Sequence, residues 1–159
     1  FAGQNVTIVD CPPSLGELAA DMMSSQQPAK LRLLLWPQQS HGRAEVPDRQ
    51  HFAALYRLLK NHRQITWPAG IKQLAAELTI APATLKFMIQ VFYDGGFVTI
   101  KDGLLSFNPS PDKVALSSLP TYQRRLARLQ AEKLLLKSDQ RRLTNWVYEQ
   151  LTNTWIKGV

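Results

Sequence analysis

The chain has 159 residues and a formal net charge of +7; 45% of its residues are hydrophobic, 9% aromatic and 19% charged, a balance that excludes a disordered, collagen-like or membrane-spanning chain. No apolar run reaches the roughly 18 residues a bilayer span requires, and Phe1-Ala2-Gly3 lacks the basic-then-apolar start of a signal peptide, so no membrane partner is expected and the cytoplasm is the expected address. The single cysteine, Cys11, excludes a disulfide framework and a multi-cysteine zinc site, and a first residue other than methionine suggests a piece of a longer protein.

Val6-Thr7-Ile8-Val9 and Lys30-Leu31-Arg32-Leu33-Leu34-Leu35-Trp36 are apolar runs of strand length. Between them, Ser14-Leu15-Gly16-Glu17 has the spacing of a capping box, which predicts a helix from about Leu15 to Ser24 with Leu15, Leu18, Ala19 and Met22 on one face. Strand, helix, strand predicts a right-handed parallel crossover and a small Rossmann-like α/β unit. Its first turn, Asp10-Cys11-Pro12-Pro13-Ser14, is a poor phosphate cradle, because consecutive prolines remove donors and no glycine lets amides close on an anion. Asp10 is read as a strand-end acid capping the turn rather than as a ribose or metal ligand.

Pro37 to Pro47 is polar and reads as a joint, with room for a short edge strand near Arg43 to Val46. Asp48 is placed to cap a helix from about Arg49 to Asn61, with Phe52, Leu55, Tyr56 and Leu59 on one stripe. His41, His51 and His62 are too dispersed, and too poor in flanking carboxylates, to suggest a metal site. Leu74, Ala75 and Leu78 mark a short helix, and Pro82 opens another from about Ala83 to Tyr93 that buries Leu85, Met88, Ile89 and Phe92 before Gly95-Gly96 stops it. Phe97 to Ile100, the turn Lys101-Asp102-Gly103, and Leu104 to Phe107 then read as a hairpin. This order predicts a winged helix-turn-helix. Its reading helix offers Thr84, Lys86 and Gln90, and its wing Lys101; without an arginine for bidentate contact to guanine, base-specific readout is disfavoured.

After the stiff connector Asn108-Pro109-Ser110-Pro111, the three- and four-residue spacing of Tyr122, Leu126, Leu129, Lys133 and Leu136 predicts a helix. Ser138 and Asp139 open a last one with Leu143, Val147 and Leu151 inward. Charge is uneven along the chain. Residues 1–50 hold four basic and five acidic residues, 51–119 seven and four, and 120–159 eight and three. The basic end attracts polyanions by steering and counterion release, which nominates Arg124, Arg125, Arg128, Lys133, Arg141 and Arg142, with Lys86 and Lys101, as phosphate contacts. Trp146, Tyr148 and Trp155 lie nearby; core packing is the preferred role for these aromatics over base stacking.

No paired histidines, His-Glu-x-x-His, Asp-His-His cluster, Gly-x-Ser-x-Gly or Walker loop occurs, and Cys11 has no identifiable histidine partner, so no catalysis, metal or cofactor is expected within these residues.

Several segments resemble a known family. Val46-Pro47-Asp48-Arg49-Gln50-His51-Phe52, Leu58-Leu59-Lys60 and Phe87-Met88-Ile89-Gln90-Val91-Phe92-Tyr93-Asp94-Gly95-Gly96-Phe97-Val98 are similar to the C-terminal domain of the Firmicutes RecJ single-strand-DNA-specific exonucleases. The likeness continues through Asp102-Gly103-Leu104-Leu105-Ser106 and Leu119-Pro120-Thr121-Tyr122-Gln123. It implies a parent that degrades single strands from the 5′ end in recombination and repair, using Mn²⁺ or Mg²⁺ held in N-terminal domains whose motifs are missing here. This piece would then be a noncatalytic accessory domain that assists DNA engagement. Its expected partners are single-stranded DNA, the catalytic core of the same chain, and a single-strand-binding protein or a helicase. A protein-docking domain without DNA contact, and a sequence-specific winged-helix regulator, are the competing expectations. The expected layout is an α/β unit over 1–47, a winged helix over 48–110 and basic helices over 111–159.

Overall fold

Local capping chemistry sets where the helices begin. The Ser14 hydroxyl accepts the Glu17 amide at 3.1 Å, the Asp48 carboxylate accepts the His51 amide at 2.9 Å, and the Asp139 carboxylate accepts the Arg142 amide at 2.7 Å. Each satisfies one of the four amides that a helix leaves open at its start. A computed structural model describes residues 5–24, 30–34, 46–62 and 64–156 of the chain. Among the described residues it is mixed α/β, with six α-helices and two small sheets. The chain divides into two compact units, one of residues 1–41 with 126–159 and the other of residues 42–125.

In the first unit, β1 (Asn5–Val9) and β2 (Lys30–Leu34) pair in parallel, with Val6 opposite Leu31 and Ile8 opposite Leu33, and α1 (Leu15–Ser24) lies between them in sequence. Parallel strands need a crossover of this kind. The same unit takes in α6 (Gln140–Ile156) and the C-terminal part of α5 (Pro120–Lys137). Cys11, Leu18, Met22, Ala131 and Leu135 form its buried centre, and Ile8, Leu15, Leu31, Leu136, Leu143, Trp146 and Val147 pack around them. The expected edge strand near Arg43 to Val46 and the end of the second strand at Leu35-Trp36 fall largely outside the described residues, as does the side chain of Leu151.

In the second unit, α2 (Arg49–His62), α3 (Ile71–Glu77) and α4 (Pro82–Asp94) pack on an antiparallel sheet of β3 (Gln64–Thr66), β4 (Val98–Lys101) and β5 (Leu104–Phe107), in the order β3-β5-β4. Asp102 and Gly103 both take positive φ, 50° and 73°, the conformation of the two-residue hairpin turns that Asp-Gly favours. Leu55, Leu85, Met88, Ile89 and Val91 are fully buried, and rings of Phe52, Tyr56, Phe92, Phe97 and Phe107 stack or meet edge to face beside them. Strand β3 had no expectation from sequence. Three residues carry too little periodicity to announce a strand, and pairing with Leu104 to Ser106 of β5 makes it one.

These units are cut differently from the three-part division over 1–47, 48–110 and 111–159. The reason is that α5 divides its apolar residues: Tyr122, with Leu119 just before the helix, packs on the second core, whereas Ala131, Leu135 and Leu136 belong to the first. Of the spaced set Tyr122, Leu126, Leu129, Lys133 and Leu136, four are half-buried and Lys133 alone is exposed.

Two glycines separate steric need from propensity. A Cβ on Gly70 would stand 2.5 Å from Ile65 Cγ2 and 2.9 Å from the Thr66 carbonyl, whereas on Gly16 it would meet only the Ser14 hydroxyl at 3.9 Å. Urea unfolding of Gly70→Ala is expected to show a loss of about 1–3 kcal/mol through overpacking. Gly16→Ala should leave stability unchanged or raise it by up to about 1 kcal/mol, because alanine is the better helix former.

Candidate nucleic-acid interface

In the second unit the end of α4 lies against the start of α5. Pro120 supplies the first residue of α5, and no nearby side chain caps it; the Asp94 carboxylate, 27 residues earlier, accepts the Thr121 amide at 3.0 Å. The Thr121 hydroxyl in turn accepts from the Arg124 guanidinium at 2.9 Å, and Arg125 lies over the Phe87 ring at 5.1 Å from its centroid. Burial pushes the Asp94 carboxyl up, but the Thr121 hydroxyl and amide, the Gln90 amide and the Arg124 charge outweigh it and hold the group below the ordinary carboxylate value.

Along α4, burial of Leu85, Met88, Ile89 and Phe92 turns Lys86, Gln90 and Tyr93 outward. Thr84, expected beside them, stands two residues before Lys86, about 160° round the helix, and is half-buried. Lys101, Asp102 and Gly103 are exposed at the hairpin tip.

The nominated cations do not form one set. Lys86, Lys101, Arg124 and Arg125 belong to the second unit; Arg128, Lys133, Arg141 and Arg142 belong to the first. Lys86, Lys101, Arg124, Lys133, Arg141 and Arg142 are exposed. Arg128 is engaged with Glu132 at 3.1 Å, with both side chains about three-quarters buried, and Arg125 is half-buried against Phe87. These two are better described as packing groups that carry charge than as open phosphate ligands.

On α6, Trp146 packs against the first core, as expected, whereas Tyr148 is 68% exposed and the side chain of Trp155 lies outside the described residues. Arg141, Asn145 and Tyr148 recur on one helical stripe, and Arg141 and Asn145, with Arg142, Trp146, Asp139 and Glu149, line a cavity of about 440 Å³. A larger cavity of about 700 Å³ in the second unit has Tyr56 and Phe107 among its walls, with Lys60, His62, Gln64 and Ser106.

Among the described residues no group of three or more His, Cys, Asp and Glu side chains is placed to hold a metal ion. His62 meets Glu77 at 3.5 Å, and His51 meets its own capping acid Asp48 at 2.7 Å. Cys11 is buried, and burial, then the Glu132 charge, raise its pKa, which keeps it a thiol at neutral pH. Among the described residues no single helix is long and apolar enough to cross a membrane.

The Asp94 cap has a definite acid dependence. Because its folded-state pKa lies below the unfolded value, its contribution is complete above about pH 4 and is lost as pH falls through the folded value. Asp94→Ala should cost about 0.5–2 kcal/mol in thermal unfolding at pH 7, and the gap from the unsubstituted chain should narrow at pH 3.

Residues 1–147 match the family model described as single-strand DNA-specific exonuclease, C terminal domain. The chain is also 27% identical over 145 residues to the single-stranded-DNA-specific exonuclease RecJ of Bacillus subtilis (strain 168); the match covers 91% of this chain and 18% of that protein's length. No solved structure matches the chain significantly. The family match across nearly the whole chain, through both units, shows that it belongs to the family of C-terminal domains of single-strand DNA-specific exonucleases.

Proposed function

We propose that this chain is a noncatalytic accessory domain of a RecJ-type exonuclease, and that it helps hold single-stranded DNA through its exposed cations while a catalytic core elsewhere in the parent polypeptide, with Mn²⁺ or Mg²⁺, cleaves it. The observation that carries this reading is the family match, taken with six nominated cations that stand exposed: Lys86, Lys101, Arg124, Lys133, Arg141 and Arg142. Phosphate contacts of this kind position a strand without reading its sequence. In this reading α2, α3, α4 and the β3-β5-β4 sheet constitute a winged helix, and β1-α1-β2 a small Rossmann-like unit; neither arrangement by itself assigns a role.

A second reading, docking of a single-strand-binding protein or a helicase, draws on the 700 Å³ cavity, whose aromatic walls and Lys60 suit an apolar, acidic peptide. A base-reading regulator has less support, because Thr84 faces away from Lys86 and Gln90.

Salt titration tests the leading reading. The 159-residue chain is expected to bind oligonucleotides of unrelated sequence alike, with log affinity falling against log salt by about 0.7 per neutralised phosphate. The double substitution Arg141→Glu, Arg142→Glu should weaken every oligonucleotide to a similar extent. Absence of single-strand binding at low salt, alongside capture of an acidic peptide, would favour docking instead.

A further inference from the structure

Tyr93 is 48% exposed on the last turn of α4, a position where burial would be the ordinary use of an aromatic ring in this helix. It lies on the exposed stripe Pro82, Ala83, Lys86, Gln90, Tyr93, seven residues and about 10 Å along the axis from Lys86. The next row of the same helix faces α5: Phe87 carries the Arg125 guanidinium at 5.1 Å, and Asp94 accepts the Thr121 amide at 3.0 Å. Arg124, anchored on Thr121, is exposed beside the stripe. The acid in this neighbourhood, Asp94, is committed to Thr121 and, at 3.4 Å, to the Gln90 amide.

That last contact bears on what the face can recognise. Duplex DNA is read by hydrogen bonds to base edges, and Gln90, the group of the stripe best suited to an adenine edge, has its amide drawn along the helix to Asp94. An aromatic ring offers a π-face instead, and a base can stack on it only when that base is not already stacked within a duplex. Resting on the accessory-domain reading above, we infer that the Lys86–Tyr93 stripe of α4, rimmed by Arg124, holds an unpaired DNA segment with one base stacked on Tyr93. Selectivity for single strands then resides in Tyr93, and the cations supply attraction that a duplex would share.

The test uses the whole 159-residue chain and fluorescein-labelled oligothymidylate, with a duplex of equal length beside it. Tyr93→Leu is expected to weaken oligothymidylate binding about 5- to 150-fold, the range for loss of one stacked base, with the salt slope and duplex binding unchanged. Tyr93→Phe, which keeps the ring, should stay within about 2-fold of the unsubstituted chain. Lys86→Ala should behave differently, lowering the salt slope by about 0.7. A second readout needs no variant: photocrosslinking to a strand containing 5-iodouracil should label the peptide that contains Tyr93. Strand binding that survives Tyr93→Leu at full affinity, or crosslinks confined to Trp146 and Tyr148 of α6, overturns this assignment and leaves the accessory-domain reading standing. Failure of the unsubstituted chain to bind any single strand overturns both.

Discussion

Burial of one face of α4 is the constraint on which the second unit depends. Leu85, Met88, Ile89, Val91 and Phe92 are at most 2% exposed, and each such side chain removed from water contributes about 1.5–3 kcal/mol, so the helix has one rotational setting about its axis. That setting presents Lys86, Gln90 and Tyr93 to solvent and turns Phe87 and Asp94 toward α5. Asp94 then fixes where α5 starts, and with it the positions of Arg124 and Arg125. The chemistry of the exposed face is thus a consequence of the packing behind it.

The basic residues divide into two kinds on physical grounds. Arg125 over Phe87 and Arg128 beside Glu132 lie where desolvation makes a partner necessary, and their charge serves the fold. Lys86, Lys101, Arg124, Lys133, Arg141 and Arg142 remain in water, where a phosphate exchanges counterions for contact at little desolvation cost. At about 0.1 M salt charges are screened beyond roughly 10 Å, so in the proposed reading each cluster would act on the strand segment in front of it rather than through the net +7 of the chain.

Family membership and chemistry are consistent at the level of residues. In the accessory-domain reading proposed above, the contacts have to hold a strand without naming its sequence, and a surface of solvated lysines and arginines with two exposed tyrosines, Tyr93 and Tyr148, suits that reading. Neither tyrosine is announced by periodicity alone. Tyr93 follows Phe92 directly, and only the rotation of α4 decides that Phe92 goes in and Tyr93 out. Tyr148 is separated from the packed Trp146 in the same way.

Much of the molecule was legible from local chemistry. Ser14, Asp48 and Asp139 cap helices because a side-chain oxygen one turn before the open amides competes with water there. Asp102-Gly103 makes a hairpin because that pair tolerates positive φ, and Leu85, Met88, Ile89 and Phe92 declare their buried face by spacing. The likeness to the exonuclease C-terminal domains was carried by short segments that include Asp48, Met88 to Phe92 and Asp102-Gly103. What tertiary structure decided is everything that joins residues distant in sequence: strand β3, the Asp94 cap on Thr121, the division of α5 between two cores, and the separation of exposed cations from those held by Phe87 and Glu132. A local pattern states which groups are able to pair, but whether a charge is solvated or engaged depends on what the folded chain brings within a few ångströms of it.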